Sequence, residues 1–136
     1  MTIKYDADVI NFINFFEKLT KASVKDVILK DDRLTFIVNE GQLRKAIGKN
    51  GVNVRKLEHM FKRRIRVVEF SSDVCEFVKN LLMPLEISNI YKENEMVKIK
   101  ADGLRLKSIL IGRDRRNLNH LKDIVKKYFK YDLEVV

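Results

Sequence analysis

The apolar residues of the chain follow two spacings, and the order of these spacings predicts a series of helices and strands. Apolar positions three and four residues apart are typical of a helix with one buried face, whereas alternation and runs of β-branched residues are typical of strands. In the first half these patterns predict a helix over 6–20 with Asp6 as its N-cap, strands over 23–30 and 33–38, helices over 41–47 and 52–63, and a strand over 65–70.

The second half repeats this order. Its patterns predict a helix over 73–82, strands over 86–92 and 95–101, helices over 103–110 and 116–129, and a strand over 131–136. Pro84 ends the first of these helices, because proline cannot donate the helical hydrogen bond, and the serines at 71 and 72 mark a boundary. The sequence therefore predicts an α+β fold of two tandem αββααβ domains, residues 1–71 and 72–136, each with a three-stranded sheet packed against helices.

A short glycine loop joins the last two predicted helices of the first half. Residues 47–57 read IGKNGVNVRKL, so Gly48 and Gly51 bracket a four-residue loop that carries Lys49. Glycine permits a sharp turn and the close approach of a ligand, and the N-terminus of the following helix favours anions. Taken alone, the loop is equally typical of a glycine C-cap in an ordinary helical hairpin.

The same pattern returns in the second half, where residues 111–121 read IGRDRRNLNHL. Because a loop, a helix and a strand recur in one order, an internal repeat is favoured over chance similarity. The second loop has Asp114 at its third position and Arg115, not glycine, at its fourth. We therefore expect it to make a weaker or differently shaped contact with phosphate, more electrostatic in nature, or only to support the first unit.

Positive charge is concentrated on the two loop regions. The chain carries a formal net charge of +9. Residues 43–66 hold nine lysines and arginines against one acidic residue, residues 104–130 hold nine against two, and the remainder of the chain has more acidic than basic residues. A solvated helix face usually carries mixed signs, so this distribution indicates a surface that binds a polyanion.

The element order and the GxxG loop together resemble a type II KH domain, used twice, and the tandem resembles the NusA-related transcription factors of archaea. In KH domains the GxxG loop holds the backbone of about four nucleotides, and the bases lie in a shallow groove. The resemblance places the following residues at RNA: Ile47, Gly48, Lys49, Asn50, Gly51, Asn53, Val54, Arg55, Gly112, Arg113, Arg115, Arg116 and Asn117.

The resemblance implies a non-enzymatic protein that binds single-stranded RNA in transcription elongation or termination, with RNA polymerase as a candidate partner. A factor of ribosome assembly or translation, with ribosomal components as partners, is the alternative. A small enzyme acting on a phosphorylated ligand is a third hypothesis. No acid–base pair accompanies His59 or His120, and the phosphate-loop pattern GxxxxGK[ST] is absent, which argues against that third hypothesis.

The remaining composition excludes other classes. Cys75 is the single cysteine, so no disulfide within the chain and no multi-cysteine metal site can form. We expect no cofactor and no metal. No apolar run approaches the roughly 20 residues that a membrane span needs, so we expect no membrane partner and a cytoplasmic location.

Overall fold

The structure is a computed structural model, and it describes residues 7–136. The chain divides into two compact units, the first ending at Ser71 and the second covering Ser72–Val136. Each unit is described by itself below. The N-cap predicted at Asp6 lies outside the described residues.

The first unit has the predicted order of elements. It contains helix α1 (Ala7–Thr20), strands β1 (Val24–Lys30) and β2 (Arg33–Val38), helix α2 (Leu43–Ile47), a single 3₁₀ turn (Lys49–Gly51), helix α3 (Val52–Phe61) and strand β3 (Arg64–Glu69). The three strands form one sheet in the order β1-β2-β3. β1 and β2 are antiparallel, whereas β2 and β3 are parallel.

The core of the first unit holds α1 and α3 to the sheet. Phe16 of α1 stacks on Phe36 of β2 with ring centroids 4.2 Å apart, and both side chains are fully buried together with Leu57 of α3. Phe12 of α1 packs against Phe61 at the end of α3, at 4.7 Å between centroids. Burial of each such side chain contributes roughly 1.5–3 kcal/mol. The glycine loop is therefore attached to a helix that is anchored on two sides.

The second unit repeats the architecture. It contains α4 (Val74–Leu82), β4 (Asn89–Glu93), β5 (Met96–Lys100), α5 (Leu104–Ile111), a 3₁₀ turn (Arg113–Arg115), α6 (Arg116–Lys126) and β6 (Asp132–Val135). Its sheet has the order β4-β5-β6, antiparallel and then parallel. Asp73 caps α4, since its side chain accepts a hydrogen bond from the N–H of Cys75 at 2.9 Å.

Several predicted boundaries were wrong by two or three residues. Helix α2 begins at Leu43 and not at 41, because Gly41 has a φ of +81° that no helix tolerates. Helix α3 ends at Phe61 and not at 63, because Lys62 adopts the left-handed conformation. Strand β4 begins at Asn89 and not at 86, since only residues from Asn89 onward pair with β5.

Helix α6 was also predicted to extend too far at its C-terminal end. It ends at Lys126 and not at 129, and the N–H groups of Lys127 and Tyr128 bond instead to carbonyls three residues back, in a tighter turn. Within residues 7–136 we find no helix long and apolar enough to cross a membrane.

Candidate nucleic-acid interface

The first glycine loop has a backbone that only glycine adopts readily at its two ends. Gly48 has φ 78° and ψ 171°, and Gly51 has φ 74° and ψ 19°. Between them Asn50 is left-handed, with φ 55° and ψ 28°. Asparagine tolerates this region better than most residues, so the sequence Gly-Lys-Asn-Gly fits the turn at three of its four positions.

The hydrogen bonds of this loop leave two donors open. The N–H of Gly48 bonds to the carbonyl of Arg44 at 2.9 Å, and the N–H of Gly51 bonds to the carbonyl of Gly48 at 3.2 Å. The N–H groups of Lys49 and Asn50 have no acceptor within residues 7–136. A helical residue followed by a left-handed one turns successive N–H groups toward one concave side, and such concavities bind anions.

Cationic side chains surround the open donors. Lys49 and Asn50 are exposed at the loop tip. The guanidinium of Arg55, one turn into α3, donates to the carbonyl of Asn50 through Nη1. Arg55 therefore fixes the third loop residue and adds positive charge beside it. Because the N-terminal end of the α3 helix dipole lies next to the loop, the segment favours a bound anion.

The other predicted residues of the first unit have different surroundings. Ile47 and Val54 are half-buried, and Val54 packs against the core of the unit. The amide of Asn53 donates to the carbonyl of Lys45 at 3.1 Å. The predicted residues from Ile47 to Arg55 lie on the loop and the two helices that flank it, and the Asn53 amide is already bonded within the protein.

The second loop has almost the same backbone as the first. Gly112 has φ 74° and ψ 170°, and Asp114 has φ 56° and ψ 32°. Arg115 has φ 61° and ψ 21°, which is the left-handed conformation of Gly51. The N–H groups of Arg113 and Asp114 again have no acceptor in the described part of the chain. The two loops therefore share one backbone conformation, and the weaker or differently shaped contact expected of the second loop stays a prediction.

What distinguishes the second loop is its side chains. Arg113, Arg115, Arg116 and Asn117 are exposed, and the amide of Asn117 donates to the carbonyl of Ile109 at 2.9 Å. A non-glycine residue in the left-handed region costs on the order of 1 kcal/mol. Arg115 bears this cost, and its Cβ stands where the first loop has none.

Sequence reasoning missed an apolar patch next to the second loop. Leu104 of α5 is 79% exposed and Ile109 is 44% exposed, and with Arg105 and Ser108 they line a shallow depression. The repeat could have indicated this patch. It aligns Ile109 with Lys45, so the second unit has an apolar residue where the first has a cation.

Comparison with known proteins identifies the family. A profile described as the NusA-like second KH domain matches residues 13–73, which include the first loop. A protein of Methanococcus vannielii described as "Probable transcription termination protein NusA" is 34% identical over 127 residues, covering 91% of this chain and 73% of that protein. The chain belongs to the NusA family. A NusA of Halobacterium salinarum with the same description is 31% identical over 134 residues, covering 97% of this chain and 96% of its own.

A solved structure matches the fold of this chain over nearly its whole length. The crystal structure of APE1850 has 27% identity to this chain and a TM-score of 0.72, and the match covers 97% of this chain and 100% of that one. The prediction of an α+β fold with two KH-like units is confirmed. As a NusA-type KH protein the chain is not an enzyme, so the phospholigand enzyme is discarded. Among residues 7–136 no three histidine, cysteine or acidic side chains are grouped to hold a metal.

Proposed function

We propose that this NusA protein binds single-stranded RNA in transcription elongation or termination, with the Gly48–Gly51 loop as its principal phosphate clamp. The observation that carries the proposal is the pair of open N–H donors at Lys49 and Asn50, held between two glycines and flanked by cations. Backbone amides and basic side chains bind phosphate without regard to sequence, and unstacked bases remain free to occupy an adjacent groove.

The charges of the first loop all favour phosphate. Lys49 lies at the tip, and Arg55 lies beside the carbonyl of Asn50. No acidic residue occurs between Gly41 and Lys56. A phosphate at the open donors would therefore meet attraction from backbone, side chains and helix terminus together.

The second loop has the same donors but mixed charges. The carboxylate of Asp114 would repel a phosphate by roughly 1 kcal/mol near a solvated surface, whereas Arg113, Arg115 and Arg116 would attract it. We propose a weaker and mainly electrostatic contact there. The alternative hypothesis is a factor of ribosome assembly or translation, whose partners would be ribosomal components. The description of the relatives as transcription termination proteins favours RNA polymerase, and a role in transcription agrees with the cytoplasmic location expected from the sequence.

The test is a charge reversal in the first loop. Lys49→Asp with Asn50→Asp places two carboxylates at the open donors and should abolish most affinity for a short single-stranded RNA in a fluorescence anisotropy titration. Both side chains are exposed, so the fold should be retained, as circular dichroism would verify. The wild type should prefer single-stranded RNA over duplex, and its log–log salt slope should rise by about 0.7 for each phosphate contact.

The matched control makes the same charge change on α1. Asn14 and Lys18 are exposed there, so Asn14→Asp with Lys18→Asp should cost only the small effect of net charge. Equal losses in the two double variants would refute a clamp at Gly48–Gly51. Equal affinity of the wild type for duplex and single-stranded RNA would refute the KH mode of binding.

A further inference from the structure

In each unit, an asparagine of the helix that follows the loop forms a hydrogen bond with the helix that precedes it. Asn53 donates its amide to the carbonyl of Lys45, and Asn117 donates its amide to the carbonyl of Ile109. In both units the asparagine lies five residues after the first loop glycine, and the acceptor lies three residues before it. The acceptor carbonyl belongs to the last turn of the preceding helix, whose carbonyls have no partner within the helix.

The same asparagine also packs against the first glycine. A Cβ built on Gly48 would lie 2.9 Å from Cγ of Asn53, and one built on Gly112 would lie 2.7 Å from Cγ of Asn117. Real Cβ atoms do not approach other atoms so closely. Two separate constraints therefore favour glycine at this position: its φ and ψ angles, and the asparagine amide that packs against it.

Comparison of the two units distinguishes the glycine and the asparagine, which are common to both loops, from the loop residues that differ. The two loops differ at all three positions after the first glycine, reading Lys-Asn-Gly and Arg-Asp-Arg, yet both have asparagine at the fifth position after it. Their backbone dihedral angles nevertheless agree closely. Between the first glycine and the asparagine, these two residues are the only ones that both loops have in common, which favours this pair as the cause of the common shape.

We infer that Asn53 and Asn117 are positioning residues, which hold the open N–H donors of each loop in the conformation that accepts phosphate. The inference rests on the proposed function. It departs from the expectation that these amides bind RNA directly. If the amide link is lost, the loop samples other conformations, and the apparent dissociation constant rises in inverse proportion to the population that is still competent.

The principal experiment compares Asn53→Ala with Asn11→Ala, which removes an exposed asparagine of α1 in the same unit. We expect Asn53→Ala to weaken binding of single-stranded RNA about fivefold, roughly the effect of one hydrogen bond. In NMR spectra of the free protein, amide shifts and hydrogen exchange should change at Lys49 and Asn50. The unfolding midpoint should fall by no more than the few degrees that one hydrogen bond accounts for, and Asn11→Ala should change none of these.

The readouts separate the competing roles. A direct RNA contact would lower affinity and leave the free loop unchanged, which would overturn the inference. A residue that merely supports the fold would speed hydrogen exchange throughout the unit with no additional change at Lys49 and Asn50, which would also overturn it. If the wild type binds no RNA, the proposed function fails, but the free-state NMR of Asn53→Ala still decides whether the amide positions the loop.

A double variant covers the case in which one substitution unfolds the unit. Gly48→Ala introduces the clash with Asn53, and Asn53→Ala removes it. The two changes should therefore cost less stability together than the sum of the separate costs. Additive costs would show that the amide does not constrain the glycine, and would overturn the inference.

Discussion

The two glycines that flank α5 allow the contact with asparagine to be measured separately from backbone strain. Gly103, before the helix, has φ 87° and ψ 159°, and Gly112, after it, has φ 74° and ψ 170°. Alanine at either position must adopt nearly the same unfavourable conformation, at about 1–3 kcal/mol. A Cβ at Gly103 meets nothing within 4 Å, whereas one at Gly112 lies 2.7 Å from Cγ of Asn117.

The difference between the two alanine variants is therefore the contact alone. If Asn117 stays in place, the overlap resembles overpacking of a core, which costs about 1–3 kcal/mol. If the Asn117 side chain rotates, Cγ and Nδ2 move away but its Cβ stays 2.9 Å from the new Cβ, and the hydrogen bond to the carbonyl of Ile109 is lost, at about 1 kcal/mol. Gly112→Ala should accordingly destabilise the second unit by about 1–3 kcal/mol more than Gly103→Ala, while the strain terms cancel.

The assay is urea unfolding followed by NMR signals of residues in the second unit, because the chain has two units and no tryptophan. Asn117→Ala should reduce the difference between Gly112→Ala and Gly103→Ala without abolishing it, because it removes Cγ and Nδ2 but keeps the Cβ of residue 117, 2.9 Å from the new Cβ. Costs for the two glycine variants that agree within about 0.5 kcal/mol, which is the scatter expected for independent sites, would refute the packing argument.

Two further outcomes are expected in the second unit. Asp114→Asn should leave RNA affinity equal or slightly tighter in an anisotropy titration, because it removes a charge that repels phosphate, and a clear loss of affinity would contradict this. Burial alone would raise the pKa of Asp132, but the N–H of Leu133 and the ammonium groups of Lys122 and Lys126 outweigh it and hold the pKa below its usual value. This carboxylate therefore stabilises the fold above the usual aspartate pKa, and the contribution is lost as pH falls through the lowered value. The unfolding midpoint should therefore fall at acid pH, and Asp132→Asn should make this fall smaller. A fall of unchanged size would contradict a stabilising role for the Asp132 carboxylate.

The order of elements was predictable because it depends on patterns that lie along the chain. Apolar spacing located α1, α3 and the strands to within a few residues, and the first loop was visible because Gly48 and Gly51 both need φ values that favour glycine. Boundaries without such a signal were predicted wrongly. Lys62 ends α3 in a left-handed conformation, although nothing in the surrounding sequence distinguishes it from a residue that continues the helix.

The shape of the second loop was not predictable from its residues. Arg115 adopts the left-handed conformation of Gly51 although its residue type disfavours that conformation. Local propensity disfavours this by on the order of 1 kcal/mol. The hydrogen bond from Asn117 to Ile109 and the packing of Asn117 against Gly112 are the contacts to which we assign the conformation of the loop. The hydrogen bond joins residues eight apart on two helices, so the loop residues alone do not reveal it.

These contacts assign different roles to different residues of each loop. The first glycine and the asparagine five residues later fix the backbone, since they are common to two loops of the same shape. The three residues between the glycine and the next helix set the charge, and they differ at every position. If the backbone donors are equivalent, any difference in phosphate affinity between the two loops must come from those side chains. Exchanging the three residues between the loops should then exchange their affinities, whereas removing either asparagine should weaken its own loop whichever residues it carries.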